Sequence, residues 1–199
     1  MDNIMTHNHN ITYIAKVIGD LNDTLIDKIY KQTCAYTENN IDANNENITS
    51  TMRRSHKTKY IVDNIKLIDV KNVKKIYNYL KACIEAEKQA AKIFELIFDT
   101  VNLLLVAAGY EKIDNLCDFK NIERNMIITD ACRNIIMKNI GHIFDNDLDR
   151  KIAKCKDHVT ILRNALCKIG YSLKSYEKIR VINKKRIYYL VYRIEETNE

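Results

Sequence analysis

From residue 70 to residue 108 the apolar positions keep a seven-residue beat: Val73, Ile76, Leu80, Cys83, then Glu87, then Ala90, Phe94, Ile97, Val101, Leu104 and Ala108. All but Glu87 are apolar. A second stripe, Tyr77, Ile84, Ala91, Phe98 and Leu105, runs beside the first, so the face is wider than the seam of a two-stranded coil needs. The spacing therefore predicts one long helix packed among several neighbours. Gly109 follows it and suits the left-handed position past a helix end. From residue 93 onward the stretch reads as a core spine, polar only along Glu95, Asp99 and Asn102. The earlier half is amphipathic, with Lys74, Lys75, Lys81, Lys88 and Lys92 outside.

Upstream, Ile11, Ile14, Ile18, Leu21, Leu25 and Ile29 are spaced as on a helix, broken at Gly19, with Asp20 or Asn22 able to cap a second piece. Residues 1–10 are polar and read as a disordered tail. Residues 37–59 lose all periodicity and end in Arg53, Arg54, Lys57 and Lys59, which reads as a mobile loop with solvated charge. Residues 60–69 fit a strand or a helix equally. Past Gly109, Phe119, Ile122, Met126 and Ile127 suggest a further helical beat capped by Asp118. Asp130 can start another helix with Ile135, Ile136 and Ile140.

Between residues 148 and 169 the pattern sharpens: Ile152, Cys155, Val159, Leu162, Leu166 and Ile169 alternate in steps of three and four until Gly170. The period then becomes strand-like. YSLKSYEKIRVI and RIYYLVYRI, joined by Asn183, Lys184 and Lys185, predict a β-hairpin. The fold class expected is mainly α: a helical bundle around one long central helix, with a C-terminal part containing one β-hairpin. The expected division is a helical domain at 11–118 and a second domain at 119–199.

Composition adds a caution and a compartment. Ile, Asn and Lys number 30, 22 and 23, while Pro and Trp are absent, a bias that AT-rich codons produce and that resembles proteins of large AT-rich DNA viruses. The Asn richness then reflects codon bias. Six cysteines without a secretion signal point to reduced thiols and an intracellular protein, so the sequons at Asn10, Asn22 and Asn47 are expected to stay unmodified. The apolar run at 93–108 falls short of the roughly 20 residues of a membrane span, and no membrane partner is expected.

Charge discriminates more sharply. Residues 1–118 carry 15 Lys plus Arg against 16 Asp plus Glu, so the net +6 of the chain arises downstream. Within 150–194 there are 13 basic residues against Asp157 and Glu177. A solvated face usually mixes both signs, and a one-signed block of this size asks for an anionic partner. On the helix expected at 150–169, the face opposite the apolar stripe presents Lys156, Thr160, Arg163, Asn164 and Lys168, groups suited to phosphates and base edges. The hairpin adds Lys178, Arg180, Lys184, Lys185 and Arg186. Helices, then a basic helix, then a basic hairpin is an order that resembles the winged-helix DNA-binding family over residues 119–194. That resemblance implies a recognition helix at 150–169 and a wing at 171–194.

Other chemistry finds little support. Asp145, Asp147 and Asp149 open like a calcium loop, but Arg150 and Lys156 stand where Gly and Glu are required. Cys155 and His158 form a zinc half-site without a second tight pair. With four glycines there is no phosphate-cradling loop and no nucleophile elbow. No cofactor or metal and no enzymatic activity are expected. The sequence points to a non-catalytic nucleic-acid-binding protein acting on double-stranded DNA. The alternative is a helical interaction or structural protein, of viral type, that forms a homo-oligomer through the 70–108 helix.

Overall fold

A computed structural model of the chain describes residues 2–37, 52–143 and 157–197. The fold is mainly helical with one small antiparallel sheet. In chain order the elements are α1 (Asp2–Val17), α2 (Asp23–Tyr36), α3 (Arg54–Asn64), α4 (Val70–Ala107), β1 (Ile122–Glu123), α5 (Arg124–Ile127), α6 (Asp130–Asn139), α7 (His158–Lys168), β2 (Tyr171–Ile182) and β3 (Lys185–Glu196). The chain divides into two compact units, Met1–Glu87 and Lys88–Glu199. The boundary between these units falls inside α4. The reason lies in the middle of the heptad stripe. Every residue from 85 to 92 is exposed, so the helix is buried only toward its two ends.

The first unit packs α1, α2, α3 and the start of α4 around Ile14, Ile26, Ile29, Tyr30, Ile61, Ile65, Ile76 and Leu80. The helix break expected near Gly19 is a 3-10 turn at Ile18–Asp20, and the Asn22 carboxamide accepts the Leu25 N–H at 2.9 Å to start α2. Two expectations are corrected. The supposed tail is helical from Asp2, because Asn10 is buried and the His9 ring meets Tyr77 at 6.2 Å. The basic cluster at 53–59 is not a solvated loop but the head of α3. Arg54 donates to Asp23 at 2.9 Å and to the Leu21 carbonyl at 2.6 Å, while Lys57, buried, reaches Asp27 at 2.7 Å. Residues 38–51 lie outside the described residues.

The second unit is built on the end of α4. Ile97, Val101, Leu104 and Ala108 meet Phe119, Ile136, Ile161, Leu162, Leu166, Leu173, Tyr192 and Ile194 in one core. The end of α4 is closed at Gly109, whose φ of +81° lets the Tyr110 N–H turn back to the Leu105 carbonyl at 2.8 Å. Asn102, expected on an outward strip, is buried, and its side chain exchanges two hydrogen bonds with the backbone of Ile113. Leu103 and Val106 face outward instead. The helical beat expected after Asp118 is also corrected. Leu116–Asp118 is a 3-10 turn and Ile122–Glu123 is a short strand, because Ile122 and Glu123 pair with Tyr192 and Val191 of β3. The sheet order is β1–β3–β2.

Of the helix expected at 150–169, residues 150–156 lie outside the described residues, and the remainder is α7. Asp157 is its N-cap in extended conformation, accepting the Val159 N–H at 3.0 Å, and α7 begins at His158. Burial pushes the Asp157 carboxyl up, but the Thr160 hydroxyl and the Val159 and Thr160 amides outweigh it, so the group sits below its ordinary value. A depressed folded value means the cap's contribution is complete above the unfolded carboxylate value, near pH 4, and fades as pH falls through the folded one. Asp157→Ala is expected to cost about 1 kcal/mol at neutral pH. The gap in melting temperature from the parent should close in acid.

Candidate nucleic-acid interface

Two elements of the second unit carry the residues singled out by charge. On α7, Val159, Ile161, Leu162, Ala165 and Leu166 face the core, and the buried His158 donates from Nε2 to the Ile127 carbonyl at 2.9 Å. The opposite side presents Thr160, Arg163 and Asn164, all half-buried, and the exposed Lys168. Thr160 and Arg163 bond to groups of the fold itself. The Thr160 hydroxyl donates to the Asp157 carboxylate at 2.9 Å, and Arg163 Nε–H reaches the Leu173 carbonyl at 3.5 Å. Lys156 lies outside the described residues, as do Asp145, Asp147 and Asp149. α7 therefore offers a modest polar face, with less charge than its sequence suggests.

The hairpin offers much more. Its strands are each 12 residues long, roughly 40 Å end to end, and register runs from Tyr171 opposite Glu196 to Ile182 opposite Lys185. The two-residue turn Asn183–Lys184 has φ of +49° and +62°, the pair of left-handed residues that matches the twist of a tight hairpin. Burial is confined to the base, at Leu173, Val191, Tyr192 and Ile194. The remainder forms an arm. Between residues 174 and 193 it holds seven cations, Lys174, Lys178, Arg180, Lys184, Lys185, Arg186 and Arg193, against Glu177 alone.

Alternation sorts these groups onto two faces. One carries Lys174, Tyr176, Lys178, Arg180 and Ile182 with their partners Arg193, Val191, Tyr189, Ile187 and Lys185. There the Arg180 guanidinium lies 4.9 Å over the Tyr189 ring and donates to Glu123 at 2.7 Å, and Arg193 lies 5.0 Å over Tyr176. Tyr176 donates to Glu195 at 2.6 Å, a bond that holds its phenol above the ordinary value and keeps it neutral. Arg180, a predicted contact, is thus half committed to Glu123. Lys184, Lys185 and Arg186 stand exposed at the tip, with no carboxylate paired to them among the described residues. Lys174, Tyr176, Tyr189 and Arg193 were not singled out from sequence. Strand alternation and pairing register would have placed them beside Lys178.

Elsewhere the surface of this unit carries hollows. One of 140 Å³ is lined by Phe94, Phe98, Asp114, Asn115, Leu116 and Tyr171, and another of 340 Å³ lies between Phe94 and Ile169. Among the described residues no helix is long and apolar enough to cross a membrane. No family model, curated protein or solved structure matches the chain.

Proposed function

We propose that this chain binds nucleic acid, double-stranded DNA in particular, without catalysis, and that the β2–β3 arm supplies most of the contact. The observation carrying this is the arm itself, with seven cations against one carboxylate on a hairpin whose distal half has no core to stabilise. A ribbon of this size fits a groove, and its cations lie at spacings that track a phosphate backbone. The second unit supports the same reading. The end of α4, β1, α6, α7 and the hairpin follow one another in the order of a winged helix, with β1 added to the outer side of β3. In that arrangement α7 lies in the major groove, where Asn164 and Lys168 are its contacts. The arm is the wing, reaching the adjacent backbone or minor groove. Because Thr160 and Arg163 are tied down, affinity resides chiefly in the wing.

The competing reading, a homo-oligomer through the long helix, draws on the exposed middle of α4 at 85–92 and on the outward Leu103 and Val106. Apart from Phe94, which is exposed, the apolar stripe positions toward both ends of α4 pack in or against the chain's own two cores. A salt series with duplex and single-stranded oligonucleotides, read by fluorescence anisotropy, tests the nucleic-acid reading. Five or six neutralised phosphates give a log–log slope near −5 on duplex at ~0.9 per phosphate. Absence of salt-dependent binding to either strand form would sink the proposal.

A further inference from the structure

The other face of the arm has a different chemistry. From base toward tip, the pairs on it are Glu177 with Leu190, Ile179 with Tyr188, and Val181 with Arg186. Ile179, Val181, Tyr188 and Leu190 are 54, 65, 58 and 36% exposed, although they sit side by side on two paired strands. Apolar side chains collected on one face of a sheet ordinarily mark a surface that is covered. Nothing among the described residues covers this one.

The ends of the patch indicate what does. Glu177 closes it on the base side and Arg186 on the tip side, four residues apart along the strands, or about 13 Å. A second copy turned by a two-fold axis that lies in the interface and crosses the strands places the partner's Arg186 near Glu177. The same rotation lays the partner's Ile179 and Tyr188 against their own counterparts. The patch is therefore complementary to itself in one orientation. The other face-to-face orientation brings Glu177 beside Glu177 and Arg186 beside Arg186, and charge disfavours it. Pairing along the open edge of β2 would gather Lys174, Lys178 and Arg180 of both copies in one row, which protects that edge against addition of a like strand.

From this geometry we infer that the chain forms a homodimer in which two arms pack face to face, antiparallel, through Ile179, Val181, Tyr188 and Leu190, with Glu177 and Arg186 paired across the interface. The four side chains expose on the order of 400 Å² per copy, and with the flanking charges the pair covers roughly 1,000 Å² in total, at the small end of specific interfaces. The dimer is accordingly a micromolar one. Its outer surfaces are the two faces bearing Lys174, Lys178 and Lys185, and both tips keep Lys184, so self-association and nucleic-acid contact draw on opposite sides of the ribbon except at Arg186, for which the two compete.

Sedimentation velocity on the full chain without nucleic acid, from about 1 to 200 µM, tests this independently of any DNA binding. A monomer–dimer equilibrium with a Kd in the micromolar range is expected. Ile179→Asp, on an exposed site that leaves the cores untouched, should abolish it. Glu177→Arg and Arg186→Glu should each weaken the dimer about tenfold by setting like charges together, and the double substitution should restore it. A chain monomeric at every concentration, a dimer indifferent to Ile179→Asp, or a double variant no tighter than the singles overturns the inference.

Discussion

Duplex DNA should be held about a hundredfold more weakly at physiological salt once Lys184, Lys185 and Arg186 are replaced together by Ala, and the salt dependence should flatten by nearly 3 in the log–log slope. Both figures follow from removing three phosphate contacts at ~0.9 released counterions each. The three side chains are exposed at the tip and belong to neither core, so folding should survive their loss. A second variant separates charge from turn geometry. Lys184 has φ of +62°, where a side chain costs about 1 kcal/mol, so Lys184→Gly should tighten the hairpin while removing one cation. Slightly greater stability together with a slope shallower by about 1 is the expected pair of results. If the triple variant binds with the parent's affinity and slope, the wing makes no phosphate contact and the arm must be assigned another purpose.

The arm also links nucleic-acid contact to self-association. A ribbon with five of its seven cations on one face, beside Ile182 and Ile187, and Ile179, Val181, Tyr188 and Leu190 together on the other suits a paired ribbon with most of its charge outside. The cation–π contacts of Arg180 with Tyr189 and Arg193 with Tyr176 run diagonally across the β2–β3 ladder on the charged face, and they hold both guanidinium groups in place there. Pre-set positions reduce the entropy lost when phosphates are bound.

Much of this fold was legible wherever one element carried its own signal. The seven-residue beat of α4, the cap at Asn22, the stops at Gly109 and Gly170 and the hairpin with its turn at Asn183 all follow from local pattern, and the structure has each of them. What was illegible depends on partners distant in sequence. Ile122 and Glu123 are too few to show a period, and they are a strand only because Tyr192 and Val191 lie alongside. Arg54 and Lys57 read as solvated charge because Asp23 and Asp27 are some thirty residues away. The start of α7 is set by Asp157, whose capping role is hidden in the sequence by an apolar spacing that runs on through it. A heptad stripe, finally, shows what a helix is able to bury. It does not show that Ala90 and Phe94 stay exposed, since that depends on where the neighbouring helices end.

Phe119→Ala should produce the largest loss of stability among single changes in the second unit, about 3 to 5 kcal/mol. The ring is fully buried, and the residue also fixes the sheet, since its carbonyl accepts the Ile194 N–H at 3.0 Å. Truncation leaves a cavity where α4, α7 and β3 converge, and backbone pairing at Ile194 hinders collapse around it. The loss should be confined. The core containing Phe119 and the core containing Ile29 and Tyr30 share no residue, and the stretch of α4 at 85–92 has no buried side chain through which packing strain would pass. Native-state hydrogen exchange is the measurement that resolves this. Amides of α6, α7 and β3 should lose protection by roughly two to three and a half orders of magnitude, the equivalent of those energies at about 1.4 kcal/mol per decade, while those of α2 and α3 keep theirs. Equal loss in both sets would mean that the long helix transmits stability along its exposed waist, and that the two units fold as one.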